Sequence, residues 1–94
     1  MTMRVVLTLY VVGATPSSAR AIVNVRKFCE QHLLGQYEFD VVDLALDPGA
    51  AAKAQIIAAP TLVKWMPPPM RRFIGDMSDG TRLLAGLGIS PEAA

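Results

Sequence analysis

Residues 56–76 read IIAAPTLVKWMPPPMRRFIGD. Four prolines fall within ten positions, Pro60 and then Pro67, Pro68 and Pro69, between two apolar segments with the make-up of strands. Proline has no N–H to give to a ladder, and it biases the residue before it away from helix. Sheets tolerate it at strand starts, edges and turns. The stretch therefore reads as a strand over "PTLVKWM", a turn over Pro67–Pro69 and a returning antiparallel strand over "MRRFIG".

Upstream, Val5 to Val12 is a nearly continuous apolar run, as expected of a strand buried on both faces. Gly13-Ala14 ends it, Thr15 reads as an N-cap, and Pro16 occupies the first helical position, where its missing N–H is no loss. A helix is predicted to about Leu34, with Ala19, Ile22, Val25, Cys29 and Leu33 on its buried stripe and Gly35 as its stop. A second strand is predicted over Phe39–Leu46, ended by the turn Asp47-Pro48-Gly49. A helical crossover makes these two strands parallel. Ala50–Ala58 reads as a short helix. Ser78 or Asp79 caps a last helix through Leu87, weakened by Gly80, Gly86 and Gly88. The fold class is α/β, in the order β-α-β-α-β-β-α.

The 94 residues form one domain, and a chain of this size buries only about two-thirds of its unfolded surface. With 52% hydrophobic residues, apolar area is left over for a partner or for self-association. Nine basic and eight acidic residues are scattered, so neither a nucleic-acid nor a membrane-surface field is implied. One cysteine and one histidine exclude an intrachain disulfide, a Cys-x-x-Cys pair and a Cys/His zinc cage. Cys29 is expected to pack as a small hydrophobe and His32 to be an ordinary polar position at a helix end. Tyr10 and Trp65 are expected in the core or at a subunit interface. No metal or cofactor is expected. The opening "MTMRVVLTLYVVGATPSSARA" has roughly the layout of a secretory signal. Its β-branched, strand-like run instead argues for retention as core, and no run of 18 apolar residues exists to span a membrane. The expected location is cytoplasmic.

Ala59-Pro60-Thr61-Leu62 resembles the proline loop of thioredoxin-like proteins, and the element order is the thioredoxin one. Where a redox thioredoxin has its two cysteines, this chain has "GATPSS", so disulfide exchange is not available. A thiol or glutathione enzyme using Cys29, Ser17 or Ser18 is the rival chemical reading.

"LTLYVVGATPSSARA", Pro60-Thr61-Leu62, Lys64, Pro67-Pro68-Pro69, Arg71-Arg72 and Ile74-Gly75-Asp76 together resemble the KaiB family, from about Val5 to Leu87. KaiB proteins are partners of the KaiC clock ATPase, and the resemblance implies a metamorphic chain. Residues 1–49 would keep their β-α-β arrangement, while residues 50–94 would switch. A ground state, usually a homotetramer, has the order β-α-β-β-α-α-β. A monomeric state has the thioredoxin-like order and binds the N-terminal ATPase ring of KaiC. Pro60, Pro67, Pro68, Pro69 and Gly86 are the implied fold-switch positions, since X–Pro bonds favour trans only weakly and exchange slowly, and glycine's lack of conformational preference keeps two secondary structures close in energy. Arg20, Lys64, Arg71 and Arg72 match basic positions that become candidates for the KaiC contact. KaiA and a clock-output histidine kinase are further implied partners. Gly88 stands where clock members commonly carry an acidic residue, and the chain stops at "ISPEAA" in place of an acidic tail. A simpler KaiB–KaiC timer or stress-response role, or a KaiB-like sensor domain of a histidine kinase, is therefore kept beside the oscillator role. In each of these readings the chain is not an enzyme.

Overall fold

The structure is a computed structural model and describes residues 4–88. β1 (Val5–Val11), α1 (Pro16–His32), β2 (Tyr37–Asp43), α2 (Gly49–Ala54), β3 (Thr61–Met66), β4 (Arg71–Ile74) and α3 (Gly80–Leu87) follow in order. This is the thioredoxin-like β-α-β-α-β-β-α sequence of elements. They build one four-stranded sheet in the order β2-β1-β3-β4. β1 pairs parallel to β2 and antiparallel to β3, and β3 pairs antiparallel to β4. The central place of β1, between β2 and β3 with helices on either side of the sheet, explains its nearly continuous apolar run.

Helices α1 and α3 cover one face. Their Ala21, Val25, Phe28, Cys29, Leu83 and Leu87 pack with Leu7 and Leu9 of β1, Leu62 of β3 and Phe73 of β4. The short α2 covers part of the other face, where Ala54 meets Tyr10 and Val63. The proline-flanked hairpin is as read from the sequence: Leu62 opposes Phe73 and Lys64 opposes Arg71.

Several boundaries and one helix face differ from the sequence reading. α1 buries Ser18, Ala21, Val25, Phe28 and Cys29, whereas Ala19 is exposed and Ile22 only partly covered. Alanines at 19 and 21 are too weakly apolar to set the helix phase, and bulky Phe28 sets it. α1 ends at His32, with Leu33 as its cap. β2 runs Tyr37–Asp43 rather than Phe39–Leu46. Asp43 ends it by accepting hydrogen bonds on Oδ1 from the N–H groups of Gly13 and Ala45, both at 2.9 Å. Leu46 is left exposed. α2 stops at Ala54 rather than Ala58, because Gln55 turns left-handed at φ 57. Of the two caps read for α3, Asp79 is the one used, accepting from Arg82 N–H at 3.1 Å. Gly80 opens α3 and Gly88 closes it at φ 74, the left-handed cap position that glycine adopts most readily. Only Gly86 lies inside the helix, so the three glycines weaken it less than their number implies.

Candidate functional site

The place where a thioredoxin keeps its cysteines is the β1–α1 junction. Here Thr15 Oγ1 accepts from the Ser18 N–H at 3.1 Å and donates to Ser18 Oγ at 2.9 Å. Ser18 is buried. The junction is thus a self-satisfied helix cap, with the Asp43 carboxylate bound beside it at Gly13. The hydrogen bonds from Gly13 and then Ala45 hold the Asp43 carboxyl below its ordinary value. A carboxylate in that position repels the anion that a serine-type glutathione site would bind. Cys29 is buried in the main core, and desolvation, followed by the charge of Glu30, pushes its thiol up to about 12. A thiol held protonated at neutral pH is a packing group rather than a nucleophile. His32 stacks on Phe28 with ring centroids 4.7 Å apart, and its buried Nδ1 has no hydrogen-bond partner among the described residues. Among the described residues no cluster of three or more His, Cys, Asp or Glu could hold a metal.

The four basic candidates are divided between the two faces of the sheet. Lys64 and Arg71 oppose each other across β3 and β4, on the side of α1 and α3 that Leu62 and Phe73 also face. Lys64 is only 4% exposed, and burial, then the neighbouring Arg71 charge, lowers its pKa from the ordinary lysine value. Arg71 is exposed above it. Arg72 alternates to the α2 side, where it donates to the backbone carbonyl of Ala54 at 3.0 Å. Arg20 lies on the first turns of α1 and pairs with Asp76, Nε to Oδ2 at 3.3 Å.

Asp76 is a junction that sequence reasoning passed over. Its Oδ1 accepts from the Ser78 N–H at 3.1 Å, and its carbonyl accepts from Asn24 Nδ2 at 2.8 Å. Hydrogen bonds from the Ser78 side chain and N–H, and the nearby Arg20, outweigh desolvation and lower its pKa. The loop between β4 and α3 is thereby tied to α1. The available signal was Arg20 and Asn24, four apart on one helix face beside an Ile-Gly-Asp motif.

The fold-switch candidates sit at the seams of the C-terminal half. Pro60 is buried just before β3, its carbonyl accepting from Gly75 N–H at 3.0 Å. Pro67, Pro68 and Pro69 form the β3–β4 turn. Gly86 faces the ring of Phe73 so closely that a β-carbon there would overlap it.

A family model described as "KaiB domain" matches residues 8–89. The chain is 42% identical over 89 residues to "Circadian clock protein KaiB3" of Synechocystis sp., covering 95% of this chain and 87% of that protein. It is 46% identical over 84 residues to "Circadian clock oscillator protein KaiB" of Synechococcus sp., covering 89% and 76%. Among solved structures it resembles the N-terminal domain of Synechococcus elongatus SasA, at TM-score 0.75 and 18% identity over 94% of this chain and 87% of that one. It also resembles Fasciola hepatica thioredoxin, at TM-score 0.72 and 22% identity over 90% and 79%. The solved structures bear on the fold, the sequence relatives on descent: a thioredoxin-like frame without a usable thiol, in a chain that belongs to the KaiB family of circadian clock proteins.

Proposed function

We propose that the chain is a non-enzymatic clock or timer regulator that binds the N-terminal ATPase ring of a KaiC-type hexamer in the thioredoxin-like form described above. The observation that carries this reading is the fold of the C-terminal half. β3, β4 and α3 stand in the order that the family resemblance ties to the binding state, and the β1–α1 junction carries no cysteine. At rest the chain is a homotetramer in the order β-α-β-β-α-α-β, and it reaches the ring as a monomer. Arg71, exposed at the outer strand, makes the contact. Buried Lys64 adds positive potential from beneath, and Arg20 leaves Asp76 to join it. Arg72, committed to Ala54 on the other face, contributes less.

Affinity for an isolated N-terminal KaiC ring in the presence of nucleotide tests this. Reversing Arg71 to Glu weakens binding about tenfold or more, since it replaces an attraction by a repulsion. Arg72→Glu has the smaller effect. Equal affinities for the parent and both variants, or no binding by the parent, would overturn the reading.

A further inference from the structure

Among the described residues, oxidisable sulfur is divided between the inside and the outside of the chain. Cys29 is fully buried, and Met77 is 8% exposed. Met66 and Met70 are each 41% exposed, and they stand at the two ends of the Pro67-Pro68-Pro69 turn between β3 and β4. The ladder of that hairpin ends at the Lys64–Arg71 pair. Past it the three prolines have no N–H to donate. No backbone hydrogen bond outside the helices and strands involves residues 67–70. On its other side Met66 pairs with Val6 of β1, where the register slips between Val6 and Leu7. The tip of the hairpin is therefore held by side chains more than by backbone. Trp65, next to Met66, supplies one such hold, its Nε1 donating to Thr8 Oγ1 at 3.0 Å.

We propose that Met66 and Met70 form an oxidation-sensitive pair whose conversion to sulfoxides by hydroperoxides loosens the tip of the β3–β4 hairpin. The thioether sulfur attacks the peroxide O–O bond, forms an S–O bond and is oxidised. The O–O bond breaks, and the peroxide is reduced to water or an alcohol. The product is polar and chiral where the side chain was flexible and apolar. Within a ladder, backbone hydrogen bonds would resist such a change. At this tip no ladder opposes it. A sulfoxide reductase reverses the step: two thiols become a disulfide, and the sulfoxide oxygen leaves as water. Buried Cys29 neither competes for the oxidant nor supplies those thiols. The chain thus meets peroxide through methionine at the hairpin tip, where a redox thioredoxin uses cysteine at the β1–α1 junction.

Trypsin cuts after Lys64 and Arg71, so both methionines fall in one peptide, WMPPPMR. Met77 falls in FIGDMSDGTR, and Met1 and Met3 fall in MTMR. The folded full chain is treated with hydrogen peroxide, quenched over time, digested and weighed. Met66 and Met70 are expected to gain oxygen about fivefold faster than Met77, the ratio of 41% to 8% exposure. Trp65 is the single tryptophan, so its emission reports on the tip. In the oxidised chain that emission shifts to the red and the midpoint of urea unfolding falls. A methionine sulfoxide reductase with dithiothreitol restores both. Met66→Leu combined with Met70→Leu keeps the fold and loses both responses to peroxide. If the double variant fails to fold, the two single variants replace it, each losing part of the response. Met77 oxidised as fast as the pair would overturn the proposal. So would emission and midpoint that peroxide leaves unchanged in the parent, or changes equally in the leucine variants.

Discussion

A β-carbon built on Gly86 stands 2.5 Å from Cζ of Phe73 and nearer still to Cε1. Phe73 is 5% exposed, so its ring can make room only by shifting against packed neighbours. Two effects of opposite sign therefore compete in Gly86→Ala. Helix propensity alone stabilises α3 by about 0.5–1 kcal/mol. Overpacking against a buried ring costs about 1–3 kcal/mol. The overlap wins on these magnitudes, so equilibrium unfolding of the monomer is expected to show a net loss. Shortening the ring in a Phe73→Leu, Gly86→Ala double variant recovers much of it, with a coupling of about 1 kcal/mol or more. A Gly86→Ala protein more stable than the parent would mean that the ring moves aside freely. From sequence, Gly86 stood out only through the family resemblance and as a weak helix former. The reason this position excludes a side chain is a contact between α3 and β4, and no local pattern reveals which residue of a neighbouring element will face a glycine.

At the scale of elements, one helix cap lies in the half proposed to stay fixed and one in the half proposed to switch. Thr15 caps α1 through Ser18, and Asp79 caps α3 through Arg82. Either one changed to Ala costs about 1 kcal/mol of helix stability in this arrangement. Thr15→Ala acts on a helix common to both proposed states, so it lowers stability without changing binding to a KaiC ring. Asp79→Ala acts only where α3 exists, and it weakens that binding about fivefold. Equal binding losses for the two caps would place the switch elsewhere. The elements themselves were largely legible in the sequence, because Thr15-Pro16, Asp47-Pro48-Gly49 and Pro67–Pro69 mark their ends by backbone restriction. The ends that were misread depend on distant partners: Asp43 stops β2 by holding Gly13, thirty residues away, and Gln55 ends α2 in a left-handed turn that glutamine does not advertise. The division of Lys64, Arg71 and Arg72 between two faces follows from strand alternation. It could be read only after the β3–β4 register was known.

For the whole molecule, the excess of apolar residues over what a small core can bury is visible as surface. Leu34, Leu46 and Ile57 are 71%, 85% and 92% exposed. Such exposure suits a chain that spends part of its life against other subunits. If the proposed switch operates, a gap of about 2–3 kcal/mol between a resting tetramer and this form leaves the binding form at the per-cent level and makes binding slow and weaker than its contacts allow. The most direct test is gel filtration with light scattering on the chain alone, then minutes and hours after mixing with its KaiC-type ATPase and nucleotide. A tetramer alone that passes gradually into the KaiC peak is the predicted result. A monomer at every concentration that joins the peak at once, or a chain that never enters it, would contradict the account.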